Sequence, residues 1–161
     1  MAKTLSQSTD AKLYEEDFYL WVERQADLLH KGRLHDLDLP HLIEEIEDLG
    51  ANLKGMAFSR TQQIIRHLLK LQYSSAAEPR RLWRQSIRDQ RDELDLHLTK
   101  SLHNLIQATL ETRYAVARRR ATEDLKEYDE SAADLPETCP YTLEQVLLHD
   151  WFPAHVGGHE D

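Results

Sequence analysis

Apolar residues recur at helical spacing along most of this chain, and most strictly between Leu42 and Leu71. Leu42, Ile46, Leu49, Leu53 and Met56 are spaced 4-3-4-3, the seam pattern of a bundle or short coiled coil. Ile64, Ile65, Leu68, Leu69 and Leu71 follow, apolar on nearly all sides. A helix apolar all round is a buried helix. Asp38 stands where a cap is needed, and Pro40 is tolerated in a first turn. Gly50 and Gly55 weaken the pattern without having to end it. A continuous helix from Leu39 to about Gln72 would be the central rod of the fold.

The flanking segments read the same way. Met1 to Thr9 is polar and non-periodic, which predicts a disordered segment over 1–9. Asp10 can cap a first helix carrying Tyr14, Phe18, Trp21, Val22, Gln25, Leu28 and Leu29 on one face, with Lys31-Gly32 as its stop. After a loop over Ser74 to Pro79, a third helix points Trp83, Ile87, Leu94 and Leu98 inward, with Ser101 marking a turn. Leu102, Ile106, Leu110, Tyr114, Ala117, Ala121 and Leu125 predict one long fourth helix. Asp129 to Pro140 is a polar connection. Thr142-Leu143-Glu144-Gln145 fits a capping box before a short last helix. No alternating pattern predicts a strand. The expected fold is all-α, an antiparallel bundle of about four long helices plus a short one. It forms a single domain over 10–153, with a flexible tail over 154–161.

Composition fits a soluble helical domain, with 40% hydrophobic and 30% charged residues and only 5 Gly and 5 Pro. The formal charge of −9 gives no general attraction for nucleic acid or anionic membranes. Cys139 is the single cysteine and suits a reducing compartment. The N-terminus has no apolar signal core, and no stretch approaches the ~20 apolar residues of a membrane span. The expected location is the cytoplasm.

Five stretches together carry a family resemblance. They are LYEEDFYLWVERQADLL at 13–29, LDLPHLIEEIEDLG at 37–50, RHLLKLQY at 66–73, RLWRQSIRDQR at 81–91 and PETCPYTLEQVL at 136–147. In this order they resemble the bacterial "domain of unknown function 29" family. The resemblance covers nearly the whole chain. It implies an all-helical bacterial protein, mostly of cyanobacteria and proteobacteria, and it implies no activity. TKSLHN at 99–104 stands where the family commonly has a proline-containing break.

Two charged clusters are the candidate sites. Glu44, Glu47 and Asp48 occupy about one third of a helix circumference, opposite the Leu42/Ile46/Leu49 seam. Near a helix N-terminus such an arc is normally solvated and favoured by the macrodipole. Its other reading is ion pairing with Arg80, Arg84, Arg88 and Arg91, spaced four, four and three and about 60° from the Trp83/Ile87/Leu94 line. Arginines there cover apolar surface with their stems and pair their heads with a neighbour. A phosphate-binding stripe is the alternative, diluted by Asp89, Asp92, Glu93 and Asp95.

A metal centre has little support. A di-iron bundle needs Glu-x-x-His on two helices, whereas this chain has His41-x-x-Glu44 once and Glu93 four residues from His97. His67 lies 23 residues beyond Glu44. On one helix that is roughly 35 Å, out of reach of a shared site. Among Ile64, Leu68 and Leu71 it reads as a core histidine, with a cleft residue of a metal-dependent enzyme as its functional counterpart. No phosphate loop, nucleophile elbow or CxxC gives catalysis positive support. The reading that remains is a non-enzymatic interaction or regulatory module without cofactor, binding an unknown protein partner or itself. Nucleic-acid association through the arginine stripe is the second reading.

Overall fold

The computed structural model describes residues 10–77, 79–127, 130–131 and 134–157. The segment expected to be disordered, 1–9, lies outside them, as does 158–161 of the expected tail. Among the described residues every regular element is helical, as the periodicity requires. The helices are α1 (Phe18–His30), α2 (Leu39–Tyr73), α3 (Arg80–Asp95), α4 (Lys100–Ala108), α5 (Leu110–Glu127) and α6 (Leu143–Leu147), with a 3-10 turn at Leu34–Asp36. The backbone packs as two compact units, Met1–Asn52 and Leu53–Asp161.

In the first unit, the helix expected to run from Asp10 is interrupted. Residues 10–16 are helical, but Asp17 leaves the helical region at φ −150° and its side chain caps α1 by accepting from Leu20 N. The sequence signal for this break is the acidic run ahead of Phe18. The stop at Lys31-Gly32 is as expected. Gly32 adopts φ 66°, Arg33 N donates to Leu28 O and Gly32 N to Leu29 O. That bond pair is a Schellman motif, which needs a left-handed residue at Gly32. Asp38, at the start of α2, accepts from Trp21 Nε1 at 3.2 Å, and Gln25 Oε1 accepts from Asp38 N at 2.9 Å.

α2 is continuous for 35 residues, so neither Gly50 nor Gly55 ends it. In the second unit its stretch from Ile64 to Leu71 is the core element the sequence predicts, with all five aliphatic side chains there fully buried. Trp83, Ile87 and Leu94 of α3, Ile106 of α4, Tyr114, Ala117, Ala121 and Leu125 of α5, and Leu143 and Val146 of α6 complete that core.

The single long fourth helix is a correction. α3 ends at Asp95, Leu98 N closes the turn on Leu94 O, and Thr99 caps α4 by accepting from Leu102 N. At Thr109 the helical path breaks again, at φ −118° and ψ 15°. The Thr109 hydroxyl donates to Leu105 O at 2.8 Å. A hydroxyl competing for the carbonyl four residues back disturbs a helix locally. The capping box at Thr142 and Gln145 forms with both of its bonds.

Candidate functional site

The seam residues of the first unit do not form a buried seam. Ile46 is 68% exposed and Leu49 62% exposed, although both repeat at core spacing. The physical reason is that a helix pair buries only its contact strip. Here Trp21, Leu28 and Leu37 fill it. Trp21 anchors an aromatic cluster in which Tyr14 stacks on His41 at 4.1 Å and Phe18 on Trp21 at 5.7 Å. Tyr14 donates to Glu45 Oε1 at 2.6 Å, and that bond pushes the phenol up to about 12.

Beside this anchored strip, α1 and the first turns of α2 enclose an open apolar groove of about 390 Å³. Phe18, Val22 and Leu29 line it from α1, and Leu42, Ile46 and Leu49 from α2. Glu45 is the charged residue in its wall. Glu44, Glu47 and Asp48 are exposed, and helical geometry turns them to the other side of α2. The unit as a whole is strongly acidic. Met1–Asn52 carries twelve Asp and Glu against five Lys and Arg, and Leu53–Asp161 carries seventeen against fifteen.

The arginine stripe belongs to the second unit, and the structure divides it. Arg91 is 1% exposed. Its guanidinium donates to the carbonyls of Gln145, Val146, His149 and Trp151 at 2.9–3.1 Å. Burial lowers it to about 10, helped by Arg88, so it stays charged at neutral pH. Arg84 and Arg88 instead hold their guanidiniums 5.2 and 5.4 Å from the Phe152 ring centre. Arg80 donates to Ser74 O at 3.4 Å. Arg80, Arg84 and Arg88 share the wall of one cavity with Arg81, which sequence reading did not single out.

A second polar cluster went unread in the sequence. Asp124 of α5 accepts from Arg66 on both oxygens, Nε at 2.7 Å, and from Lys70 Nζ at 2.8 Å. Lys70 also lies 4.7 Å over the Trp83 ring. Burial alone would push the Asp124 carboxyl up, but the bonds from Arg66 and Lys70 outweigh it and hold it below its ordinary value. Asp124 is 58 positions from Arg66. No local pattern reveals such a pair.

His67 is buried, as its apolar neighbours predict, at 8% exposure. Its Nε2 meets Gln63 Nε2 at 2.9 Å, while its buried Nδ1 has no partner among the described residues. Burial, with Lys70 and Arg66 nearby, lowers its pKa to about 4. An unfolded histidine titrates near 6.5. The unfolded chain therefore binds more protons between those values, and stability falls as pH drops from about 6.5 to 4. The contribution is about 2–3 kcal/mol, fully present above pH 7. Urea unfolding of wild type and His67→Leu across pH 7.5 to 4 should show a stability difference that changes by this amount. A pH-independent difference would refute it.

The tail expected over 154–161 begins with residues that make bonds. His155 Nε2 lies 3.0 Å from Ser74 O, and Val156 N donates to Gln72 O at 3.0 Å. Cys139 is a free, half-buried thiol, raised by burial. Among the described residues no group of three or more His, Cys, Asp or Glu is placed to hold a metal, and no helix is long and apolar enough to cross a membrane.

Among the described residues these features define an all-helical, bundle-like protein with an exposed apolar groove and a guanidinium-lined cavity. The model of the family described as Domain of unknown function DUF29 matches residues 13–152, and the chain belongs to that family. No curated protein and no solved structure matches it.

Proposed function

We propose that this chain is a non-catalytic interaction module that captures a basic amphipathic helix of a protein partner in the groove between α1 and the start of α2. The observation that carries the reading is the apolar lining of that groove. Phe18, Val22, Leu29, Ile46 and Leu49 are all more than a third exposed, at positions spaced like core residues. Contiguous exposed apolar surface marks interaction sites. Two helices flanking an apolar trough accept a third helix through anchors at i, i+3 or i+4, and i+7.

Charge selects the occupant. A second copy seated on this face would bring two acidic units together, each with twelve acids and five bases. A partner helix with Lys and Arg flanking its apolar stripe is attracted instead, and steering by complementary fields raises association rates. The same reading places the module in a bacterial cytoplasm, which the lone Cys139 supports.

The test is a photo-crosslinking amino acid at Val22 or Ile46, with Glu44 on the other side of α2 as control. In the native host, crosslinks from Val22 and Ile46 should map to a basic, helically periodic segment of another protein. Ile46→Glu should weaken binding of that segment at least ~10-fold, since a carboxylate buried without a partner costs well over 1.4 kcal/mol. Crosslinks only between copies of this chain, or none above the Glu44 control, would overturn the reading.

A further inference from the structure

Of the four acids of α2, Glu45 alone lines the apolar groove. It stands three residues after Leu42 and four before Leu49, on the side of the helix that those two turn to the groove. Its side chain is half-buried. The Tyr14 phenol donates to Oε1 at 2.6 Å, which holds the carboxylate at the wall and leaves Oε2 for a further donor.

No positive charge accompanies this carboxylate among the described residues. The lysines and arginines described in the first unit are paired elsewhere, Lys12 with Glu16, Arg24 with Asp10, Lys31 with Asp27 and Arg33 with Asp36. His41 meets Asp38. While the groove is open, water solvates the Glu45 head. A helix lying in the groove removes that water, and a carboxylate buried without a cation is costly. A wholly apolar stripe is therefore penalised where it crosses Glu45. A base at that point turns the same carboxylate into an attraction, so one residue both selects and rejects.

We infer that Glu45 is the specificity-determining residue of the groove, pairing with one arginine or lysine set inside the apolar stripe of the partner helix. This rests on the partner-helix reading and adds one position to it, a base between apolar anchors as well as bases along the edges. The pair also fixes register. Sliding the partner by one turn, about 5.4 Å, carries its base away and sets an apolar side chain against the carboxylate. Arginine suits the place best. Its weakly hydrated fork offers several donors to one carboxylate, and its stem covers the apolar wall beside it.

The experiment is selection of a displayed library of amphipathic helices on the full chain. Leucines are fixed at both ends of an apolar stripe, and the positions between them are randomised. Wild type should enrich arginine or lysine over leucine at one position between the anchors, at least ~10-fold. Glu45→Arg should enrich aspartate or glutamate there instead. Glu45→Gln, which keeps an acceptor for Tyr14 and loses only the charge, should enrich neither sign. Ile46→Glu should capture none of the selected helices, and circular dichroism verifies that each variant folds. The best arginine-bearing helix is then compared by fluorescence anisotropy with its citrulline version, a neutral isostere. Citrulline should weaken binding to wild type ~10-fold and to Glu45→Gln no more than about 2-fold. A base selected equally well whatever the charge at position 45 overturns the inference. The partner-helix reading then still stands if Ile46→Glu abolishes capture. Helices that bind Ile46→Glu as tightly as wild type, or no enrichment from the library, overturn both.

Discussion

Arg91→Met should destabilise the protein by about 3–5 kcal/mol, while Arg119→Met, at an exposed position of α5, should stay within about 0.5 kcal/mol of wild type. The last carbonyls of any helix lack intrahelical partners. α6 is only five residues long, and Arg91 reaches the carbonyls of Gln145 and Val146 at its C-terminal end. It also takes those of His149 and Trp151 just beyond. One planar fork thus satisfies four carbonyls of one segment and places a positive charge at the negative end of α6. Methionine keeps much of the stem's volume and removes every donor, so the buried Val146 carbonyl and the three half-buried ones lose this partner, at about 1 kcal/mol each. Arg91→Lys should recover only part of the loss, because an ammonium has three donors and no fork. Urea unfolding measures the cost. Limited proteolysis should show faster cleavage within 145–157 for Arg91→Met than for wild type. A cost no greater than that of Arg119→Met would refute the assigned role.

Arg91 also shows what the sequence could and could not convey. Helical spacing put Arg80, Arg84, Arg88 and Arg91 on one line beside the core face of α3, and that geometry is right. It could not convey that the segment from α6 to Trp151 closes over Arg91 and leaves Arg88 exposed, because a wheel records which side faces inward and not what covers it. The same limit explains Ile46 and Leu49. Their spacing is that of buried residues, but among the described residues of the first unit α1 packs beside them without covering them. Where the signal is dense the reading holds. Ile64 to Leu71 is apolar on nearly every side and is buried throughout, and the Thr142 box forms as its residues dictate. Breaks in helices were harder to read, since Asp17 and Thr109 interrupt them through side-chain bonds that leave the apolar period almost intact.

Asp124→Asn should cost a further distinct 3–5 kcal/mol, roughly, and it should do so without weakening in high salt. The carboxylate lies between Arg66 and Lys70, with the Lys70 side chain almost wholly buried and Asp124 nearly so. An amide keeps the shape and loses the charge, so the buried Lys70 and the partly exposed Arg66 lose the carboxylate that lies between them. Lys70 feels this most, because burial already pushes its ammonium down against the pull of Asp124. The pH dependence separates this cluster from His67. The folded carboxyl of Asp124 is held below its unfolded value near 4, so its stabilisation is present above that value and is lost as pH falls through it. Wild type should therefore converge toward Asp124→Asn below pH 4, whereas the His67 contribution is lost between about 6.5 and 4. Replacing all three charges at once, as Arg66→Met, Lys70→Met and Asp124→Leu, should come within about 2 kcal/mol of wild type, since a buried ion cluster roughly balances its desolvation against its attraction. A triple variant as unstable as Asp124→Asn would show that the cluster contributes net stability beyond that balance. A single variant within 1 kcal/mol of wild type would show that water reaches Asp124 and that the cluster is not held in the core at all.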